Sequence, residues 1–288
     1  MEKLNIPTQS GVVLHGARFS GGPSDTVVIA ITGVHGNFYS NPFYYRIGET
    51  LSRAGVDFIY AQTRNAFGQI EIQNANTGER QLIGSWNENF VDAVEDVRAY
   101  VDFAAQSGYR RIILAGHSLG ANKVIYYLSQ TADPRVEKFI LLSPANIKHL
   151  TGYVSPAERA LVQQWVADGM GQEVLPFELF GWLPSVADTA HQWLHSPILD
   201  NVHVEPDGDF SQIEQIRHTG ALLIGTYDRF TYGEPADFLH NINNHFPSAV
   251  ENEVILIEKT GHTYQQKEQE LADILRDLVL KWGEDKEK

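Results

Sequence analysis

The sequence has no cysteine at all and only two methionines. Without thiols there can be no disulfide, no thiolate nucleophile and no cysteine-held zinc. Positive charge is also scarce, with 22 Lys and Arg against 36 Asp and Glu, a formal net charge of −14. A field of that sign repels phosphate backbones and anionic lipid, and no Lys/Arg run interrupts it, so neither nucleic acid nor an anionic membrane surface is an expected partner. A local basic spot is left open around Arg64, or at Arg110 and Arg111. No apolar run approaches the length of a membrane span, and MEKLNIPTQSG lacks the apolar core of a secretory leader. The expected compartment is the cytoplasm.

What is present describes a globular chain of 288 residues, 43% hydrophobic and 20% charged, long enough for a sizeable core. Residues 2–19 carry short apolar pieces around Gln9-Ser10-Gly11, an opening β-hairpin. Apolar, β-branched runs follow at 26–32, 57–61 and 111–115. They lack alternation, as parallel strands buried on both faces do. Helical patterns separate them. One spans 41–54 with Pro42 in first position, and another opens at Ser85, which forms a capping-box pattern with Glu88, and runs to Gly108. A helix at 121–130 leads to a strand at 138–142.

The rhythm then breaks. Residues 145–219 show no strand signal, only helical pieces at 155–170 and 184–194. Alternation resumes with strands at 221–225 and 253–258 and a helix at 264–282. The pattern predicts an α/β core from 1–144 and 220–282, a helical cap inserted at 145–219 on the ligand-binding strand ends, and a charged tail at 283–288.

The run RRIILAGHSLGANK places Ser118 between Gly116 and Gly120, where a strand meets a helix. A nucleophile on such a turn needs small residues two places before and after it, and the turn aims the first free N–H groups of the helix at the same space. The Leu119 N–H would face an oxyanion formed on a carbonyl attacked by Ser118. Serine needs a base. His117 is adjacent, but successive side chains on a sharp turn diverge, so packing is its expected role. His262, in TGHTY directly after the last strand, is the better candidate. Asp228 follows another strand end and would orient that imidazole, with Glu234 and Asp237 nearby as alternative acids. After the strand at 26–32, His35-Gly36-Asn37 offers the Asn37 N–H as second oxyanion donor, with Phe38 as the alternative.

On HGN, GHSLG, GTYD and TGH, in that order at successive strand ends, the chain resembles a serine hydrolase of the α/β-hydrolase superfamily. The resemblance covers nearly the whole length. It implies a mostly parallel eight-stranded sheet flanked by helices, an inserted cap, no metal, no organic cofactor and hydrolysis of a small-molecule ester. It carries over Ser118, Asp228 and His262 as triad, and Asn37 and Leu119 as oxyanion donors. No subfamily, and so no particular substrate, is indicated. Acyl transfer, thioester cleavage and carbon–carbon bond hydrolysis use the same triad, and a non-catalytic binder on this fold is the remaining class.

His191 and His195 have the spacing of a helical zinc pair, but the intervening glutamate and a third ligand are missing, so no metal site is expected. The aromatics of the insertion are expected mostly to pack it onto the core. Phe38, Tyr39, Trp182 and Trp193 are the candidate pocket residues, and Phe43, Tyr44 and Asn122 are weaker ones.

Overall fold

A computed structural model describes residues 1–284. The opening hairpin, β1 (Glu2–Pro7) and β2 (Val13–Phe19), forms one edge of an eight-stranded sheet. β3 (Thr26–Ile31) leads through α1 (Phe43–Arg53) to β4 (Asp57–Ala61), which returns to pair with both β3 and β2. A small separate hairpin follows, β5 (Ile70–Gln73) with β6 (Arg80–Ile83), and then α2 (Ala93–Gln106). Next come β7 (Arg111–His117), α3 (Leu119–Thr131) and β8 (Val136–Leu142). Three helices intervene: α4 (Ile147–Thr151), α5 (Pro156–Ala167) and α6 (Ala187–His195). The sheet then continues with β9 (Thr219–Gly225), α7 (Pro235–Asn244), β10 (Glu253–Ile257) and α8 (Glu268–Glu284).

The strand order is β1-β2-β4-β3-β7-β8-β9-β10, and every pair from β4 to β10 is parallel. β3, β4 and the apolar stretch of β7 are buried on both faces, which is why their sequences run apolar without alternation. One face packs α2, α3 and α7, and the other packs α1 and α8. The chain leaves β3 toward one edge and resumes at β7 toward the other, so the carboxyl ends of these two neighbours flank a topological switch point, where open α/β sheets bind ligands.

The expected strands and the interruption lie where the pattern placed them, within a few residues. Several readings are corrected. Ser85 and Glu88 form no capping box: residues Ser85–Asn87 are a short 3₁₀ turn without a side-chain cap, and α2 begins at Ala93. The capping box of this chain is at Ser155 and Glu158, opening α5. Pro42 is the residue before the first turn of α1 rather than in it. α8 starts at Glu268, because Tyr264 and Gln266 both hold positive φ, which a helix does not tolerate. Of the charged tail, Gly283 and Glu284 close α8 and 285–288 lie outside the described residues. The candidate basic spots are neutralised: Arg64 binds Asp92, Glu95 and Asp96, Arg110 binds Asp25, and Arg111 binds Glu137. No helix among the described residues is long and apolar enough to cross a membrane.

Candidate active site

Ser118 is the junction between β7 and α3, with φ 55 and ψ −131, a conformation a β-carbon makes costly. Close packing enforces it. A β-carbon on Gly116 would lie 2.3 Å from the Gly120 carbonyl, and one on Gly120 would lie 2.3 Å from the Ile31 carbonyl. Both flanking positions therefore exclude any side chain, and the turn is clamped between its own helix and β3.

His262 and Asp228 follow the adjacent ends of β10 and β9. The His262 Nδ1 lies 2.9 Å from Asp228 Oδ2. The other carboxylate oxygen, Oδ1, accepts the Phe230 N–H at 2.9 Å. Asp228 is buried, which by itself raises its pKa, but the His262 ring, the Phe230 N–H and the Ser143 hydroxyl outweigh that and hold it below the ordinary value. It thus stays ionised through the neutral range and fixes His262 with its proton on Nδ1, leaving Nε2 free to accept. Glu234 and Asp237, the alternative acids, are exposed at the start of α7.

Ser118 and His262 line the same cavity of about 190 Å³, with Gly33, Val34, Leu119, Trp182 and Trp193 among its walls. No hydrogen bond joins the Ser118 hydroxyl to His262 among the described residues. Such contacts are often loose in free enzymes and tighten with substrate.

His117 is fully enclosed. Its Nε2 donates to the His262 carbonyl at 2.7 Å, and its ring packs against Phe43, Tyr264 and His262. Because a carbonyl only accepts, the proton is on Nε2, and Nδ1 has no partner among the described residues. His117 therefore steadies the His262 loop.

The donor loop differs from expectation. The N–H groups from His35 to Tyr39 are all taken. His35 donates to the Asn65 carbonyl at 3.0 Å, Gly36 to the Gly33 carbonyl at 3.0 Å and Asn37 to Ser40 Oγ at 3.0 Å. Phe38 donates to Gln62 Oε1 at 2.8 Å and Tyr39 to Asn37 Oδ1 at 2.9 Å. Neither Asn37 nor Phe38 lines the cavity, so the loop's spelling misplaced the donor. Val34 lines it, and its N–H, like those of Gly33, Asn41 and Leu119, has no partner among the described residues. The missed signal is position: Gly33-Val34 lies within three residues of the end of β3, and Gly33 abuts Ser118, its β-carbon position 3.0 Å from that of the serine.

Of the other pocket candidates, Trp182 and Trp193 line the cavity, whereas Phe38 packs on Tyr60 and Tyr39 is 93% exposed. Phe43 and Tyr44 are fully buried beneath the sheet end. Asn122 is a buried clamp, donating to the Ala145 and Leu199 carbonyls at 3.0 and 3.2 Å. Ile147, Leu150 and Phe230, unremarkable in sequence, also line the cavity. The His191 and His195 rings lie 4.8 Å apart and tilted by 46°, and no group of three or more His, Asp or Glu suited to a metal occurs among the described residues.

This sheet, with a serine on the elbow after β7, defines a serine hydrolase of the α/β-hydrolase fold. The family described as serine aminopeptidase, S33, matches residues 25–173, just over half of the chain, and the chain belongs to it. No curated protein matches the sequence. Solved structures share the fold at low identity. Est1E from Butyrivibrio proteoclasticus is 14% identical with a TM-score of 0.62, over 98% of each chain. The monoacylglycerol lipase of Paleococcus ferrophilus is 15% identical with a TM-score of 0.63, over 92% of this chain and 97% of that one. The siderophore hydrolase EstB of Aspergillus fumigatus is 13% identical with a TM-score of 0.65, over 99% and 98%.

Proposed function

We propose that this chain is a serine esterase that works through an acyl-enzyme on Ser118. The observation that carries the reading is the convergence, on one cavity, of a strained elbow serine, a histidine oriented by a buried carboxylate, and unengaged backbone N–H groups, those of Val34 and Leu119 among them. Proteins of the same fold named as a monoacylglycerol lipase and a siderophore hydrolase support hydrolysis as the class of reaction.

Ser118 Oγ attacks the ester carbonyl while His262 Nε2 takes its proton, and Asp228 stabilises the imidazolium so formed. The Val34 and Leu119 N–H groups receive the developing oxyanion, in place of the Asn37 and Leu119 pair that the sequence suggested. His262 returns the proton to the departing alkoxide. Water, deprotonated by the same ring, then attacks the acyl-enzyme; the bond to Ser118 Oγ breaks, His262 returns the proton to that oxygen, and the acid is released. Residues 145–219 act as a cap, supplying Ile147, Leu150, Trp182 and Trp193 to the cavity wall.

A fluorophosphonate probe is expected to label Ser118, and Ser118→Ala to lower turnover of para-nitrophenyl butanoate by about 10⁴-fold or more. Retained turnover in Ser118→Ala, with labelling elsewhere, overturns the assignment. Added alcohol or amine should leave free acid as the main product, and a dominant transfer product would place the chain among acyltransferases instead.

A further inference from the structure

Next to the cavity of about 190 Å³ that holds Ser118 lies a second, open cleft of about 540 Å³. The two share Leu150, Trp182 and Phe230 as walls. Their linings differ in kind. Apart from the catalytic groups and these shared walls, the inner space is bounded mainly by aliphatic side chains, Val34, Leu119, Ala145 and Ile147, with Trp193. The outer cleft is walled by six aromatic rings: Tyr153, Phe177, Phe180, Trp182, Phe230 and Tyr232. Tyr153 is 73% exposed, Phe230 41% and Trp182 39%. Large rings clustered on a concave surface yet open to water mark a binding surface rather than a core. Phe180 packs 5.6 Å from Trp182, and Tyr153 lies 6.0 Å from Tyr232, so the rings hold one another in place. Arg229, Glu158 and Glu178 also line the cleft, and their mixed signs leave ring stacking, not net charge, as its selective feature.

Which half of an ester enters this cleft follows from the esterase reading, on which this inference rests. The carbonyl oxygen must point at the Val34 and Leu119 N–H groups, and the leaving oxygen must face His262, which protonates it. The Phe230 ring flanks His262, with centroids 4.5 Å apart, and the same Phe230 forms a wall of the outer cleft. A group bonded to the leaving oxygen is therefore directed along Phe230 into the aromatic cleft. The acyl chain is left with the inner cavity, between Val34, Leu119, Ile147 and Trp193. We infer that the substrates are esters of an alcohol bearing a planar aromatic ring with a compact, apolar acid.

Two isomeric esters test this directly: the para-phenylbenzyl ester of butanoic acid, and the propyl ester of para-biphenylacetic acid. They carry the same atoms with the halves exchanged. With each rate divided by that ester's alkaline hydrolysis rate, the full chain is expected to favour the para-phenylbenzyl ester by about tenfold or more in kcat/KM, chiefly through KM. Trp182→Ala, checked for folding by circular dichroism, should shrink that ratio several-fold, as should Tyr153→Ala. Equal or reversed preference overturns the inference, as does a ratio unmoved in both variants. Turnover of propyl butanoate without turnover of either aryl ester overturns it too, while leaving the esterase reading intact. If propyl butanoate is not hydrolysed and a fluorophosphonate fails to label Ser118, the esterase reading itself fails and takes the inference with it.

Discussion

His117 is kept neutral by its surroundings: burial first, then the neighbouring His262 ring, push its pKa down from 6.5 to about 3. In the unfolded chain the same ring takes up a proton as the pH drops through its ordinary value. Unfolding therefore binds a proton, and acid favours the unfolded state. This penalty is absent well above the unfolded pKa, grows as pH falls below it, and levels off only once the folded pKa is passed. At pH 5 the loss from this one group is about 2 kcal/mol. His117→Gln keeps a donor for the His262 carbonyl but removes the titration. Urea denaturation at about pH 7 and pH 5 should show the variant losing roughly 2 kcal/mol less stability than the parent. Equal losses would mean that His117 is protonated in the folded chain. The sequence exposed Ser118, Asp228 and His262 as candidates because each lies within a few residues of a strand end, where local pattern and position coincide. It also pointed to the Asn37 and Phe38 N–H groups, but a free N–H is defined by what its neighbours bond, and here Ser40, three residues on, and Gln62, far away in sequence, accept from them.

α3 carries a lysine that sequence reading passed over. Lys123 is fully buried, one turn past Ser118, and its Nζ pairs with Glu88 and lies 3.1 Å from Thr63 Oγ1. Glu88 in turn accepts from Asn65 Nδ2 at 2.8 Å, and its carbonyl accepts from Thr189 on α6 at 3.0 Å. The ion pair thus joins the helix that begins at the elbow to the segment on which α6 rests. It also explains why the Ser85 and Glu88 pattern made no cap: the Glu88 side chain is drawn inward to a buried cation rather than back to its own backbone. Ser155 and Glu158 have the same spacing and no such competitor, and there the box forms. Lys123→Met strands a buried carboxylate and should cost about 3–5 kcal/mol in chemical denaturation, with Glu88→Gln added to it recovering part of the loss. A single variant as stable as the parent would show that the pair contributes nothing. The elements that the pattern missed are α4, α7 and the β5–β6 hairpin; α4 and the two strands are too short for any periodicity to announce them, and β6 is mostly exposed.

Across the whole molecule, the alternation of strands and helices disclosed the sheet, and its interruption disclosed the insertion between β8 and β9. How firmly the insertion is held depends on contacts far apart in sequence. Val186 donates to the Trp86 carbonyl at 2.8 Å, and Gln192 accepts the Phe90 N–H at 2.7 Å while donating to Asn89 at 2.6 Å. Asn201 donates to the Asn122 carbonyl at 3.0 Å, inside the elbow helix. Phe90 and Leu119 from the core share one apolar cluster with Leu179, Ala190 and Trp193 from the insertion. With a common core and buried polar bonds crossing the boundary, the two parts should unfold together. Three tryptophans, Trp165, Trp182 and Trp193, report on the insertion, while far-UV circular dichroism weights the helices of both parts. Their urea transitions are expected to coincide. Asn122→Ala, which orphans the buried Ala145 and Leu199 carbonyls, should cost on the order of 2–4 kcal/mol and move both transitions by the same amount. A fluorescence change that precedes loss of helix would instead make the insertion an independently opening lid, with the Asn122 bonds as its latch.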